Sequence, residues 1–201
     1  MSNYGLLING ELVKSDMTLD VINPATEEVF TQVPRADEAM LDQAVAGAKV
    51  AAAKWALTDI DERKALIHKI ADAINANIEP LAKALTQEQG KPLAAATMEV
   101  QYAEIFCRYF TSLNLENEVL VDDENQRVEV QRTPLGVVAG ILPWNFPLLI
   151  GIYKIAPSIL AGNSIILKPA PTTPVVSVML GEILKDVVPA GLVNILVDDN
   201  D

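Results

Sequence analysis

The chain has 201 residues, half of them apolar, with 27 acidic against 15 basic side chains and a formal charge of −12. A pI near 4.5 excludes the basic face that holds a nucleic-acid backbone, and the length allows one large domain or two small ones with a real core. A single cysteine excludes an intrachain disulfide framework, and "MSNYGLLING" lacks a basic stretch followed by an apolar one, so a cytoplasmic, reducing location is expected.

The apolar runs of "LLINGELVKSDMTLDVINPATEEVFTQVP" are separated by Asn9-Gly10, a strong hairpin signal, and predict short strands. From Asp37 a helix is expected, with Leu41, Ala44, Val45, Ala48, Ala52 and Trp55 along one face. Thr58 is the predicted cap of a second helix. Its stripe of Leu66, Ile67, Ile70, Ile74, Ile78 and Leu81 runs on to "QGKP", where Gly90 takes the left-handed position and Pro92 bars continuation. His68 has no second histidine near it and reads as structural rather than metal-binding.

A third helix is expected from Ala94 to Leu113. In it Cys107 shares a face with Ala103, Phe106 and Phe110, the pattern of a buried structural cysteine. "VLVDDENQRVEVQR" predicts two strands about an acidic turn. Asp122, Asp123 and Glu124 lack the spacing and the glycine of a calcium loop, so no metal site is expected.

The next stretch, "GVVAGILPWNFPLLIGIYK", is uncharged for roughly 20 residues when extended back to Thr133, long enough to span a bilayer as a helix. Pro143 and Pro147 would each cost such a helix roughly 3 kcal/mol, so the membrane is not a predicted partner. The segment parses instead as a strand from Gly136 to Leu142, a Pro-bounded turn, and a helix from Leu148 to Leu160. The strand "SIILKP", a helix over 174–186 and the strand "LVNILV" follow. This alternation predicts an α/β fold with right-handed crossovers and a parallel sheet. The expected organisation is 1–117 as strands and helices packed on the sheet, 118–133 as a hairpin, and 134–201 as the first three parallel strands.

Ligands of open parallel sheets bind beyond the C-terminal ends of the strands. Asn145 follows the first strand and is, on local grounds, either an ordinary turn residue or a rigid amide donor for a developing oxyanion. Lys168 follows the second, either solvated or holding ribose hydroxyls or phosphate. Gly-x-Gly occurs nowhere in the chain, so neither a dinucleotide fingerprint nor a Walker loop is present.

At "TPLGVVAGILPWNFPLLIGIYKIAPSILAGNSIILKPAPTTP" the chain resembles the aldehyde dehydrogenase superfamily, with weaker similarity at "EQGKP" and at "INPATEE", where Glu28 replaces a usual glycine. The resemblance implies a Rossmann-like NAD(P)-binding domain without the glycine fingerprint. It implies Asn145 as an oxyanion-hole donor to a thiohemiacetal and Lys154 as a lysine near the reaction centre. Ile141, Leu142, Pro143 and Trp144 would line the coenzyme groove, and Lys168, with Ala170 beside it, would reach the adenosine ribose. Leu149, Ile150 and Tyr153 would face the aldehyde channel, Tyr153 standing where tryptophan is frequent. Pro171 replaces a glutamate that selects the coenzyme without a 2′-phosphate, so NAD and NADP both remain open.

The family's cysteine nucleophile and glutamate base belong to segments beyond this chain, and Cys107 does not match that cysteine. "NILVDDND" resembles a stretch preceding a coenzyme-contacting segment, so Asp201 is expected to be an end in mid-domain. The expectation is an amino-terminal fragment, inactive alone, whose small aldehyde substrate belongs to the complete enzyme. The alternative is a non-catalytic subunit that forms homo-oligomers or joins full-length homologues through the strands around 118–132. With the usual strand order, "GVVAGIL" would lie at the edge of the sheet.

Overall fold

Asn9 (φ 53°) and Gly10 (φ 84°) both take left-handed backbone, which a two-residue hairpin turn requires, and they join β1 (Leu6–Ile8) to β2 (Glu11–Val13). The computed structural model describes residues 4–199; the expected mid-domain end at Asp201 lies outside the described residues. β3 (Thr18–Asn23) and β4 (Glu28–Pro34) form a second antiparallel pair. Helix α1 (Glu38–Trp55) starts where the Met40 amide donates to the Asp37 carboxylate at 2.7 Å. Its buried face is made of Ala44, Ala48, Ala51, Ala52 and Trp55, while Leu41 is 45% exposed. Small side chains let α1 lie close on the sheet, so the stripe follows the alanines and the expected Leu41 anchor falls outside it.

The single helix expected from Thr58 to Gln89 is two, α2 (Ile60–Asn75) and α3 (Ile78–Gln89). Pro80 explains the break, because it has no N–H to give to the Ala76 carbonyl and its ring clashes there. Asn77 Nδ2 instead donates to Ala73 O at 2.8 Å and closes the end of α2. The N-cap of α2 is Asp59, not Thr58. Gly90 ends α3 at φ 86° as expected, and His68 is exposed on α2. Helix α4 (Leu93–Thr111) follows, then the ribbon β5 (Glu118–Asp122) and β6 (Arg127–Val130). In the ribbon's turn the Asp123 carboxylate accepts the amides of Asn125 and Gln126 at 2.8 and 3.0 Å.

The remainder alternates as predicted: β7 (Val137–Ile141), α5 (Pro147–Leu160), β8 (Ser164–Lys168), α6 (Val175–Leu184) and β9 (Val193–Ile195). β7, β8 and β9 are parallel, and β7 forms one edge of the sheet order β2-β1-β9-β8-β7 among the described residues. The fold is therefore α/β, but with a mixed sheet, because β1 pairs antiparallel with β9 through Leu7 and Ile195. Alternation along β8 sends Ile165 and Leu167 into the core under α5 and α6, and Ile166 toward the alanines of α1. Helices α2 and α4 pack behind α5, and α3 behind α6. Trp55 Nε1 donates to Ile159 O at 2.9 Å and ties α1 to the end of α5. No described helix is long and apolar enough to cross a membrane.

Candidate functional site

β7 delivers the chain to Leu142–Phe146, and α5 begins at Pro147, whose missing N–H is unneeded in a first helical turn. The Leu142 side chain is buried and its amide donates to Lys168 O at 2.9 Å, so the turn is stitched to the end of β8. Beyond that stitch the chain faces outward. Ile141 is 72% and Trp144 60% exposed, and Pro143 and Asn145 are exposed beside them. Among the described residues the Asn145 side-chain amide makes no hydrogen bond, and both of its N–H groups are open to solvent.

What holds this turn lies beneath it. The Lys91 ammonium donates to Asn145 O at 2.8 Å, pairs with the Glu99 carboxylate, and sits 4.2 Å over the Phe146 ring. Glu99 in turn accepts the amides of Leu148 and Leu149 at 3.1 and 3.2 Å, filling the N-terminus of α5. Glu88 does the same for α6, accepting from Val175 and Val176 at 2.6 and 2.9 Å. Burial pushes the Glu88 carboxyl up to about 8. The two amides and Lys91 pull it down, and the neighbouring Glu99 charge adds to the rise.

Lys168 is the register partner of Ile141 across β7 and β8, so the two side chains leave the same face at the strands' C-terminal ends. Lys168 lines a cavity of about 380 Å³ with Ile166, Leu41 and Arg35, the last paired with Asp198 at 2.8 Å. Trp144 lines a different cavity of about 620 Å³ with Glu88, Pro171 and Thr173. Ala170 is half-buried and its carbonyl accepts the Thr173 amide at 3.1 Å. The two cavities flank the end of β8, so the predicted groove residues meet at one end of the sheet without sharing one pocket.

Lys154, Leu149, Ile150 and Tyr153 lie along α5. Leu149 and Ile150 are half-buried against the main core, and Tyr153 stands edge-on to Phe106 of α4 with centroids 4.5 Å apart. Lys154 is on the β7 side, in a recess of about 300 Å³ with Val138, Tyr153 and Asn163. It pairs with no carboxylate among the described residues. A Cβ on Gly140 would approach Leu167 Cδ2 to 2.6 Å and Lys154 Cδ to 3.2 Å, so an added methyl would have to displace the Leu167 side chain and press on the lysine stem. Gly140→Ala is expected to lower stability by about 1–3 kcal/mol through overpacking, read as a lower urea midpoint at unchanged slope.

The sequence profile of the aldehyde dehydrogenase family matches residues 12–201. This chain belongs to that family. Over 176 residues it is 39% identical to acetaldehyde dehydrogenase 2 of Cupriavidus necator, covering 86% of this chain and 35% of that relative. An aldehyde dehydrogenase from Brucella melitensis biovar abortus 2308 superposes with a TM-score of 0.93 at 34% identity, covering 98% of this chain and 42% of that one. PnpE in complex with nicotinamide adenine dinucleotide superposes with a TM-score of 0.91 at 34% identity, covering 97% and 41%. The chain thus spans between 35% and 42% of the length of these three proteins.

Among aldehyde dehydrogenases, whose sequence resemblance implies a cysteine nucleophile, Cys107 is no candidate. It is fully buried in α4 and burial pushes its thiol up to about 12. The residues that sequence reasoning missed are Lys91, Glu99 and Glu88. Their signal was present, because Glu99 shares the buried face of Ala96, Val100 and Ala103, and Glu88 that of Leu81, Ala84 and Leu85. An acid on an apolar stripe has to find donors, and here each finds a helix N-terminus.

Proposed function

We propose that this chain is the coenzyme-binding half of an NAD- or NADP-dependent aldehyde dehydrogenase acting on a small aldehyde. The observation that carries this is the convergence of the exposed Trp144–Asn145 turn, Ile141 and Lys168 at the C-terminal ends of β7 and β8, where open parallel sheets take their ligands. The residues suit a dinucleotide. An exposed indole and Ile141 offer apolar surface, and Lys168 offers a cation for ribose or phosphate oxygens. When bound, the coenzyme would accept the hydride from substrate. Before that transfer, Asn145 would direct its N–H groups at the oxyanion formed as a nucleophile adds to the aldehyde. Tyr153 with Leu149 and Ile150 would face the aldehyde, and Lys154 would supply a charge along the same helix. Because Cys107 is buried and held as a thiol, the chain alone is expected to give no aldehyde-dependent reduced coenzyme.

The test is titration with NAD and NADP, followed by Trp144 fluorescence in a Trp55→Phe background. Saturable quenching is expected with at least one of them, weakened about tenfold or more by Lys168→Met through loss of a charged hydrogen bond. No quenching by either coenzyme at millimolar concentration would overturn the proposal.

A second reading, that the chain is a non-catalytic subunit, is favoured by the β5–β6 ribbon. Val119, Leu120, Val128 and Val130 are all exposed on it, a pattern that suits strand or face pairing with another subunit. Co-purification with a full-length homologue, lost on Leu120→Lys, would support this reading, and a monodisperse monomer in the presence of that homologue would end it.

A further inference from the structure

We propose that Lys91, held by Glu99, is the positioning residue for Asn145: its ammonium clamps the Asn145 peptide and thereby sets the direction of the side-chain amide. The inference rests on the role given to Asn145 above, and it adds residues to that role that lie 54 and 46 positions away in sequence.

Asn145 sits in a turn that has little else to hold it. Its side chain is exposed and makes no hydrogen bond among the described residues. The flanking Trp144 and Phe146 side chains are exposed too. Leu142 is anchored to β8 on one side, and Leu148 and Leu149 are anchored to Glu99 on the other. Between those anchors the described residues give the turn three polar contacts, one of them the opening bond of α5, in which the Ile150 amide donates to Phe146 O at 3.0 Å. Thr173 Oγ1 donates to Trp144 O at 3.4 Å, at the long limit of a hydrogen bond. Lys91 Nζ donates to Asn145 O at 2.8 Å.

The lysine is itself fixed from three sides. Its side chain is only 11% exposed, against 0% for its carboxylate partner Glu99, and its charge lies over the Phe146 ring. Its backbone is restricted because Lys91 immediately precedes Pro92, the N-cap of α4. A charge-assisted bond from such a pre-organised donor fixes the peptide plane of Asn145, and from it the direction of the Cα–Cβ bond. Glu99 does two things at once: it neutralises Lys91 and occupies the amides that open α5. One buried ion pair thereby sets the turn and the helix behind it in a single frame.

The test uses the protein labelled with 15N and 13C, and it needs no turnover. In the wild type, a scalar coupling between Lys91 Nζ and the Asn145 carbonyl carbon is expected, with slow exchange of the ammonium protons. In Lys91→Met, the order parameters of the Asn145 and Phe146 amides are expected to fall from about 0.85 to below about 0.6. The Leu148 and Leu149 amides are expected to stay protected from exchange, because Glu99 still accepts from them. Should Lys91→Met fail to fold, the double variant Lys91→Met/Glu99→Gln, which leaves no unpaired charge, carries the same measurement. A missing coupling in the wild type, or an Asn145 as ordered in the folded variant as in the wild type, would overturn the inference. A uniform loss of order along the chain would overturn it equally, since that marks general destabilisation. Coenzyme titration of the variants is scored apart: failure of wild-type binding sinks the functional proposal and leaves the result for Lys91 to be judged by its own spectra.

Discussion

Glu99→Ala is expected to be the most destabilising single substitution in the site region, at about 3–5 kcal/mol, because it breaks a buried ion pair from one side. Three groups lose a partner together. The Lys91 ammonium keeps its place over the Phe146 ring with no counter-charge, and the amides of Leu148 and Leu149 face an empty volume at the start of α5. For a chain of this length the loss corresponds to roughly 10 °C in thermal midpoint. Lys83 and Glu79 provide the contrast. Their ion pair is on the open surface of α3, with side chains 60% and 78% exposed, and Glu79→Ala is expected to leave the midpoint where it was. The double variant Lys91→Met/Glu99→Gln is expected to recover most of the loss, since the glutamine oxygen still accepts the two amides and no charge is stranded. Differential scanning calorimetry of the four proteins decides the matter. A Glu99→Ala midpoint within 2 °C of wild type would mean that solvent reaches Lys91 and that the pair is not buried in solution.

Much of this arrangement was legible in the residues because local and global signals agreed. Asn9-Gly10 named its hairpin, the two prolines of "PWNFP" excluded a continuous helix, and the strand–helix alternation after Gly136 could only be a parallel sheet. The misjudged places are those where one residue outweighed a periodic pattern. Pro80 split a helix whose apolar stripe continued through the break, and the stripe alone could not report it. Leu41 fell off the buried face of α1 because the face was set by how closely alanines approach β8, which is a property of the partner element. The joining of β1 to β9 rests on Leu7 meeting Ile195, a long-range contact that no local pattern encodes. The site divides the same way. In its outward half, Asn145 and Lys168 were singled out by their positions after strand ends, and Trp144 by the family resemblance. Its supporting half, Lys91, Glu99 and Glu88, depends on which helices pack together, and so became visible only in three dimensions.

Glu88 leads to the second large effect, a dependence of stability on pH. It is buried on α3 and accepts both leading amides of α6, yet burial still lifts its carboxyl from an ordinary 4.5 to about 8. The folded state therefore holds a proton more tightly than the unfolded chain. This contribution to stability is complete below about pH 4.5 and is lost as pH rises through about 8. Between pH 6 and pH 8 the loss is expected to be about 2 kcal/mol. Other groups titrate as well, Glu182 among them with a raised carboxyl, so the quantity to measure is the difference between wild type and Glu88→Gln. The glutamine protein is expected to be less stable, because its amide can accept only one of the two N–H groups, but its urea midpoint should fall less steeply from pH 6 to 8. Two parallel curves would show that Glu88 is already ionised at pH 6. The amides of Val175 and Val176, together with Lys91, would then outweigh burial, and the N-terminus of α6 would be held by a full negative charge beside the Trp144 cavity.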